Sequence, residues 1–193
     1  GGAFNTGEGG LTWTNGGSEL AAGTVVEFLN TSSTGTRSVN IGTVSGGTIA
    51  LGNSDEAIYA FVGTSESAPT TFLTAVTNTN GGFTTATGSG LLGGTGLTAG
   101  ATALVLPLTD GADVAVFDPV LGGSSFASRT AALIALNTTA NFVAQSGSGS
   151  QEADGITPDA PFLTDPQSPI AGVTFTIGAG TPPQTVAFAA GSI

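Results

Sequence analysis

Between Gly10 and Thr14 the run GLTWT alternates apolar and polar residues and is closed at once by Asn15-Gly16-Gly17. Leu11 and Trp13 fall on one face and the threonines on the other, the period-two pattern of a half-buried strand that ends in a turn. The same unit, a short apolar run closed by Gly, Asn or Asp, returns along the chain. Strands are expected over Thr24–Leu29, Ser38–Ile41, Thr43–Leu51, Glu56–Val62 and Thr70–Thr77. In Glu56–Val62 both faces are apolar, with Ile58, Ala60 and Val62 on one and Tyr59 and Phe61 on the other. That pattern predicts a central strand.

The Gly-rich stretch from Gly81 to Gly100 reads as a long loop holding at most one edge strand around Phe83. Thr102–Leu108 and Ala112–Phe117 are hydrophobic strands, and Thr109-Asp110-Gly111 between them has hairpin composition. A helix follows, capped by Ser124 or Ser125, with Phe126, Thr130, Leu133, Ile134 and Asn137 at helical spacing. A second short helix is expected from Thr138 or Thr139 through Phe142 and Val143. Ser146–Asp165 is Gly/Ser-rich and then Pro-rich, a loop or linker. Val173–Gly178 and Thr185–Gly191 read as a strand pair. ELAAGTVVEF and GLTAGATALVL echo each other, but two copies are one turn chemistry used twice and not a repeat array.

Disorder competes with this reading, because the 32 glycines among 193 residues approach a low-complexity composition. Yet 39% of the chain is apolar and clusters recur throughout, which disordered acidic chains lack. One main domain is expected.

Charge restricts the partners. Two arginines, Arg37 and Arg129, stand against 13 acidic residues, for a net charge of −11. Nucleic-acid binding requires clustered cations to neutralise phosphates, and anionic membranes are disfavoured for the same reason. No apolar run approaches the roughly 20 residues that span a bilayer. The arginines are expected to partner nearby acids within the chain. Absence of Met points to a processed chain, a fragment or further leading residues.

Several chemistries are excluded by residue type. Without His or Cys there is no Ser-His-Asp or Cys-His catalysis and no imidazole or thiolate metal site, and without Lys no Ser-Lys pair. GSGLLG at Gly88–Gly93 matches G-x-G-x-x-G in letters only, since no helix is expected after it to face a pyrophosphate. Asp55-Glu56, Asp110/Asp113 and Asp154/Asp159 offer paired carboxylates, but all sit in expected turns, where acids usually cap or solvate. Calcium suits such hard oxygen ligands. Asn53, Asp55, Glu56, Asp110 and Asp113 are the candidate ligands, followed by Glu152 and Asp154; plain solvated turns are the alternative. No cofactor is required. With one Trp and one Tyr, burial is expected over a carbohydrate-stacking platform.

The pieces FNTGEGGLTWT, AAGTVV, SGGTIALGNSDEAIYAFVGT and APTTFLTAVTN, in that order, resemble a domain of large secreted proteins of cyanobacteria and marine proteobacteria. GLTAGATAL and the later helical region fit less strictly. The pattern is related to the lamin-tail-like, immunoglobulin-like β-sandwich and covers residues 1–145. In such proteins the domain accompanies Calx-β, calcium-binding repeat or secreted hydrolase modules, so the resemblance implies a non-catalytic accessory or surface role and supplies no catalytic residues. Family members begin with further strands before FNTGEGG. Without them the Trp13 strand has an open edge that accepts a strand from another copy; a fragment or additional leading residues is the competing expectation.

The combined expectation is an all-β, immunoglobulin-like or lamin-tail-like β-sandwich with a short helical insertion near 125–144. Residues 1–145 form the sandwich, 146–170 a loop or linker, and 171–193 a strand pair packed on the sandwich or leading to a following module. The expected role is a non-catalytic structural or adhesive module at the bacterial cell surface or in a secreted protein. Its partners are a surface protein or glycan, or another copy through a strand edge, with no nucleic acid and no membrane insertion. Two alternatives stand beside it: an accessory domain of a secreted calcium-dependent hydrolase of phosphatase or nuclease type, and a fibre subunit built by strand donation.

Overall fold

The computed structural model describes residues 4, 9–17, 19–20, 24–51, 56–65, 67–84, 90–107, 112–123, 125–147, 154–156 and 158, and the backbone of 185–190. Its elements are β1 (Gly10–Thr14), β2 (Phe28–Leu29), β3 (Ser38–Val39), β4 (Thr43–Gly46), β5 (Ala57–Gly63), β6 (Pro69–Thr77), β7 (Ala103–Val105) and β8 (Val114–Phe117). They are followed by α1 (Pro119–Gly122), α2 (Arg129–Leu136), a 3₁₀ turn (Thr139–Asn141), β9 (Phe142–Gln145) and β10 (Thr185–Ala190). The chain is all-β with few helices. A six-stranded sheet runs β4-β1-β10-β5-β6-β7, and two small ribbons pair β2 with β3 and β8 with β9.

The GLTWT strand forms as its alternation predicts, with Leu11 and Trp13 buried. It ends at Gly16 and Gly17, whose φ values of 76° and 88° favour glycine, while Asn15 Oδ1 accepts from the Gly17 N–H at 3.0 Å. β5 is interior, paired to β10 on one side and β6 on the other, and buries residues on both faces. Tyr59 and Phe61 meet Phe4, Phe72, Phe83, Leu92 and Leu97. On the opposite face Ile58 packs with Leu11 and Ile49, and Ala60 with Trp13, where Val26, Phe28, Val39 and Val44 complete the cover. Register shifts in the β5–β6 pair, one of them between Ala60 and Phe61, leave Leu73 half-exposed.

Several expected strands are shorter, each for a local reason. Thr24–Leu29 contracts to Phe28–Leu29 because the Asn40 side chain takes over the ladder's role. Its Oδ1 accepts from the Glu27 N–H at 2.9 Å and its Nδ2 donates to the Val25 carbonyl at 3.1 Å. Thr43–Leu51 stops at Gly46, where φ of 90° turns the chain away and the Ile49 N–H goes to the Thr31 carbonyl. Within the described part of 81–100 no strand forms around Phe83, whose ring packs against Tyr59 instead.

The expected hairpin between Thr102–Leu108 and Ala112–Phe117 is corrected. β7 lies parallel to β6, and β8 pairs antiparallel with β9. Turn composition favours a hairpin but cannot compete with the larger sheet, where Ala103 is fully buried beside Ala75 and the Leu106 N–H donates to Thr77 at 2.8 Å. Thr109, Asp110 and Gly111 lie outside the described residues.

The helical region also differs. Ser128, not Ser124 or Ser125, caps α2, its hydroxyl accepting from the Ala131 N–H at 3.1 Å. A separate turn precedes it: Asp118 caps α1 through the Val120 N–H at 2.7 Å, Pro119 starts it, and Gly123 at φ 91° ends it. The second helix expected near Thr138 is only the 3₁₀ turn. Asn137 and Asn141 donate to the last carbonyls of α2, closing it, and Phe142 onward extends as β9 with its ring 5.5 Å from Phe117. Of the expected tail pair, Thr185–Ala190 is a strand and Val173–Gly178 lies outside the described residues.

Candidate functional site

The acids nominated by the sequence separate. Glu56 and Asp113 reach a common cleft of about 240 Å³, whose other walls include Ile58, Val76, Thr77, Asn78 and Leu106. Glu56 arrives there because it immediately precedes β5, and Asp113 because it immediately precedes β8. Asn53, Asp55, Asp110, Glu152 and Asp159 lie outside the described residues. Among the described residues no three acidic side chains gather as a metal cluster.

The floor of the cleft is a tightly bonded polar corner at the end of β6. Thr77 and Thr79 are fully buried, and Asn78 nearly so. Asn78 Oδ1 accepts from the Glu56 N–H at 2.8 Å while the Asn78 N–H donates to the Glu56 carbonyl at 3.2 Å. The Thr77 hydroxyl donates to that same carbonyl at 2.8 Å and accepts from the Thr79 N–H at 3.1 Å. These bonds fix the backbone of residue 56 and satisfy groups that would otherwise be costly to bury. Sequence reasoning missed this corner; the run Thr77-Asn78-Thr79-Asn80 after an apolar strand is its only signal.

Asp113 is anchored at the other wall. Its N–H donates to the Gln145 carbonyl at 3.0 Å, and its Oδ2 accepts from the Gly147 N–H at 2.9 Å. Asp154 lies nearby in bonding terms: Oδ2 accepts from Gln145 Nε2, and Oδ1 from the Ile156 N–H at 2.9 Å. Gln145 Oε1 is buried without a protein partner among the described residues. The Asp113 and Asp154 carboxylates therefore hold turns, and the cleft combines Glu56 and Asp113 with apolar walls.

Trp13 and Tyr59 are buried, at 4% and 0% exposure, so neither forms a stacking platform. The Trp13 indole donates to the Ile41 carbonyl at 2.7 Å, and the Tyr59 hydroxyl to Leu91 at 3.1 Å. Burial pushes the Tyr59 phenol up to about 12. Leu91 belongs to the GSGLLG stretch; its described part continues as a turn and no helix follows, so that stretch closes the aromatic core.

Arg37 donates to the backbone carbonyls of Gly46 and Gly47, at 2.9 Å for Nη2 to Gly46, where an acidic partner was expected. Two carbonyls at the end of β4 suit the planar guanidinium fork. No helix among the described residues is long and apolar enough to cross a membrane. Comparison with family models, characterised proteins and solved structures returned no match.

Proposed function

We propose that this chain is a non-catalytic structural or adhesive β module of a bacterial surface or secreted protein, its sheets packed as an immunoglobulin-like, lamin-tail-like sandwich. The observation that supports this reading is how buried polar groups are used. Thr77, Asn78, Trp13 and Tyr59 all bond backbone, tying loops to strands, and Asn137 bonds the backbone of α2 and closes that helix. Such groups are committed to architecture, and the Thr-, Ser- and Asn-rich exterior offers hydrogen bonds to a neutral protein or glycan. The test is retention under flow of beads carrying the chain on protein- and glycan-coated surfaces, run beside phosphate-ester and DNA hydrolysis assays with calcium. Retention without turnover supports the module; turnover by the isolated chain sinks it.

A second reading, an accessory domain of a secreted calcium-dependent hydrolase, is favoured by Glu56 and Asp113 sharing one cleft. Calcium would use oxygen ligands of this kind.

A further inference from the structure

The cleft at Glu56 and Asp113 sets two carboxylates beside apolar side chains that the chain leaves partly uncovered. Strand alternation builds its walls. Glu56, at the head of β5, continues the face that carries Ile58, and Val76 stands beside Ile58 in the β5–β6 register. Asp113 and Ala115 alternate in the same way at β8. Ile58 and Val76 belong to interior strands of the large sheet, yet both are only half-buried, as is Leu106 beside them. Leu51 also lines the cleft and is 54% exposed. Apolar surface open to water around a few polar groups is the make-up of a binding pocket.

The lining selects the kind of cation. Calcium takes roughly six to eight oxygen ligands, whereas among the described residues no third acid joins the two. The Thr77 hydroxyl and Asn78 Oδ1 already bond the backbone of residue 56. Ile58, Val76 and Leu106 cannot ligate a metal, but they can cover an alkyl chain. A lysine side chain has both parts, a four-carbon stem for the walls and an ammonium with three donors for the carboxylates.

We infer that the Glu56–Asp113 cleft is a pocket for one lysine side chain of a partner protein, its stem against Ile58, Val76 and Leu106 and its ammonium at the two carboxylates.

The lysine must come from another protein, because this chain has none and a second copy brings none. Neither arginine lines the cleft, and Arg37 holds the Gly46 and Gly47 carbonyls instead. The net charge of −11 draws basic groups toward the surface from a distance. Both acids are held in place before anything binds. Thr77 and Asn78 fix the backbone of residue 56, and Asp113 is anchored through its N–H to Gln145 and through Oδ2 to the Gly147 N–H. Such preorganisation lowers the ordering cost of binding. A carboxylate offers roughly four acceptor sites, so the Gly147 bond leaves Asp113 capacity for an ammonium. At about 240 Å³ the cleft falls below the roughly 300–1,000 Å³ of pockets for drug-sized ligands, the scale of a single long side chain. This rests on the adhesive reading above and names the group by which the partner is held.

The test titrates the full chain with n-butylammonium, the lysine side chain as a free molecule, and follows backbone amide NMR shifts. Saturable shifts centred on Ile58, Val76, Leu106 and Asp113 are expected, with a dissociation constant on the order of millimolar. 1-Butanol keeps the stem without the charge, and methylammonium keeps the charge without the stem. Each should bind about tenfold more weakly. Asp113→Asn and Glu56→Gln should each weaken butylammonium about fivefold, with Trp13 fluorescence confirming the fold. Ala115→Leu narrows the cleft, leaves both acids, and should also lose binding. The peptide acetyl-Gly-Lys-Gly-amide should displace butylammonium, and the same peptide acetylated on its lysine nitrogen should not.

Shifts spread over acidic residues at large, or an affinity unchanged in the Asn and Gln variants, overturn the inference. Binding of butylammonium without the lysine peptide overturns it as well, leaving a free amine as the ligand. Calcium that shifts these amides where butylammonium does not overturns it in favour of the metal of the second reading. Bead retention is measured separately, so absence of adhesion with peptide binding intact refutes the adhesive reading alone.

Discussion

Tyr59 provides a clean alkaline probe of the core. It is the only tyrosine, and with no lysine and no cysteine it is the only side chain that titrates between pH 10 and 12. Its ring is fully buried among Phe4 at 5.6 Å, Phe72 at 6.0 Å and Phe83 at 6.3 Å, with the hydroxyl on the Leu91 carbonyl. The unfolded chain ionises near 10.0, whereas burial moves the folded phenol to about 12. Unfolding therefore releases a proton in this window. The contribution is intact below pH 10 and is lost as pH rises through 12. Two units correspond to a ceiling of about 3 kcal/mol, and screening at the loop end of the ring reduces the expected loss to about 1–2 kcal/mol.

Denaturant unfolding read by the single tryptophan, Trp13, at a series of pH values between 9 and 12 measures that loss, with tyrosinate absorbance reporting the folded titration directly. Tyr59→Phe is the matched control. It removes a hydrogen bond worth about 1 kcal/mol at pH 9 and should be flat between pH 10 and 12, so the two stability curves converge toward pH 12. A folded phenol that ionises near 10, or a Tyr59→Phe variant that keeps the slope, would falsify the burial argument.

Three further outcomes are expected. Gly90→Ala places a Cβ against the Tyr59 hydroxyl and the Ala57 methyl at φ of 109°, and should cost about 2 kcal/mol or more, measured by thermal or denaturant unfolding. Asn78→Ala strips the partner from the half-buried Glu56 N–H and should destabilise by about 1–3 kcal/mol, while the exposed Ser65→Ala stays within about 0.5 kcal/mol. If the Glu56–Asp113 cleft takes calcium, the unfolding midpoint rises with calcium and falls back with chelator, and Asp113→Asn with Glu56→Gln removes the shift; an unchanged midpoint in the unaltered chain counts against any calcium site.

Local features were legible in the sequence because their causes are local. Alternation in GLTWT places Leu11 and Trp13 inward, and Asn15-Gly16-Gly17 ends the strand through φ values that glycine adopts freely. The two apolar faces of Glu56–Val62 announce an interior strand, and β5 is one. Glu56 and Asp113 were visible as turn acids, but 57 positions of chain separate them, and only the folding of β5 and β8 brings both to one cleft. The Thr77–Asn78–Thr79 corner escaped because its bonds run to the backbone of residue 56, which no pattern within β6 reports.

What the sequence alone determines is therefore the β class, the inward faces and the turns, each written in a few adjacent residues. Tertiary structure decides which strand lies beside which. The TDG turn suggested that the strands on either side of it would pair, yet β7 joins β6 in parallel and β8 waits for β9. Alternation specifies a face but no neighbour; ladder bonds are common to all strands, and the choice among partners rests on burial summed over distant segments. The Trp13 strand makes the point most plainly, for its neighbour β10 lies more than 170 residues away along the chain.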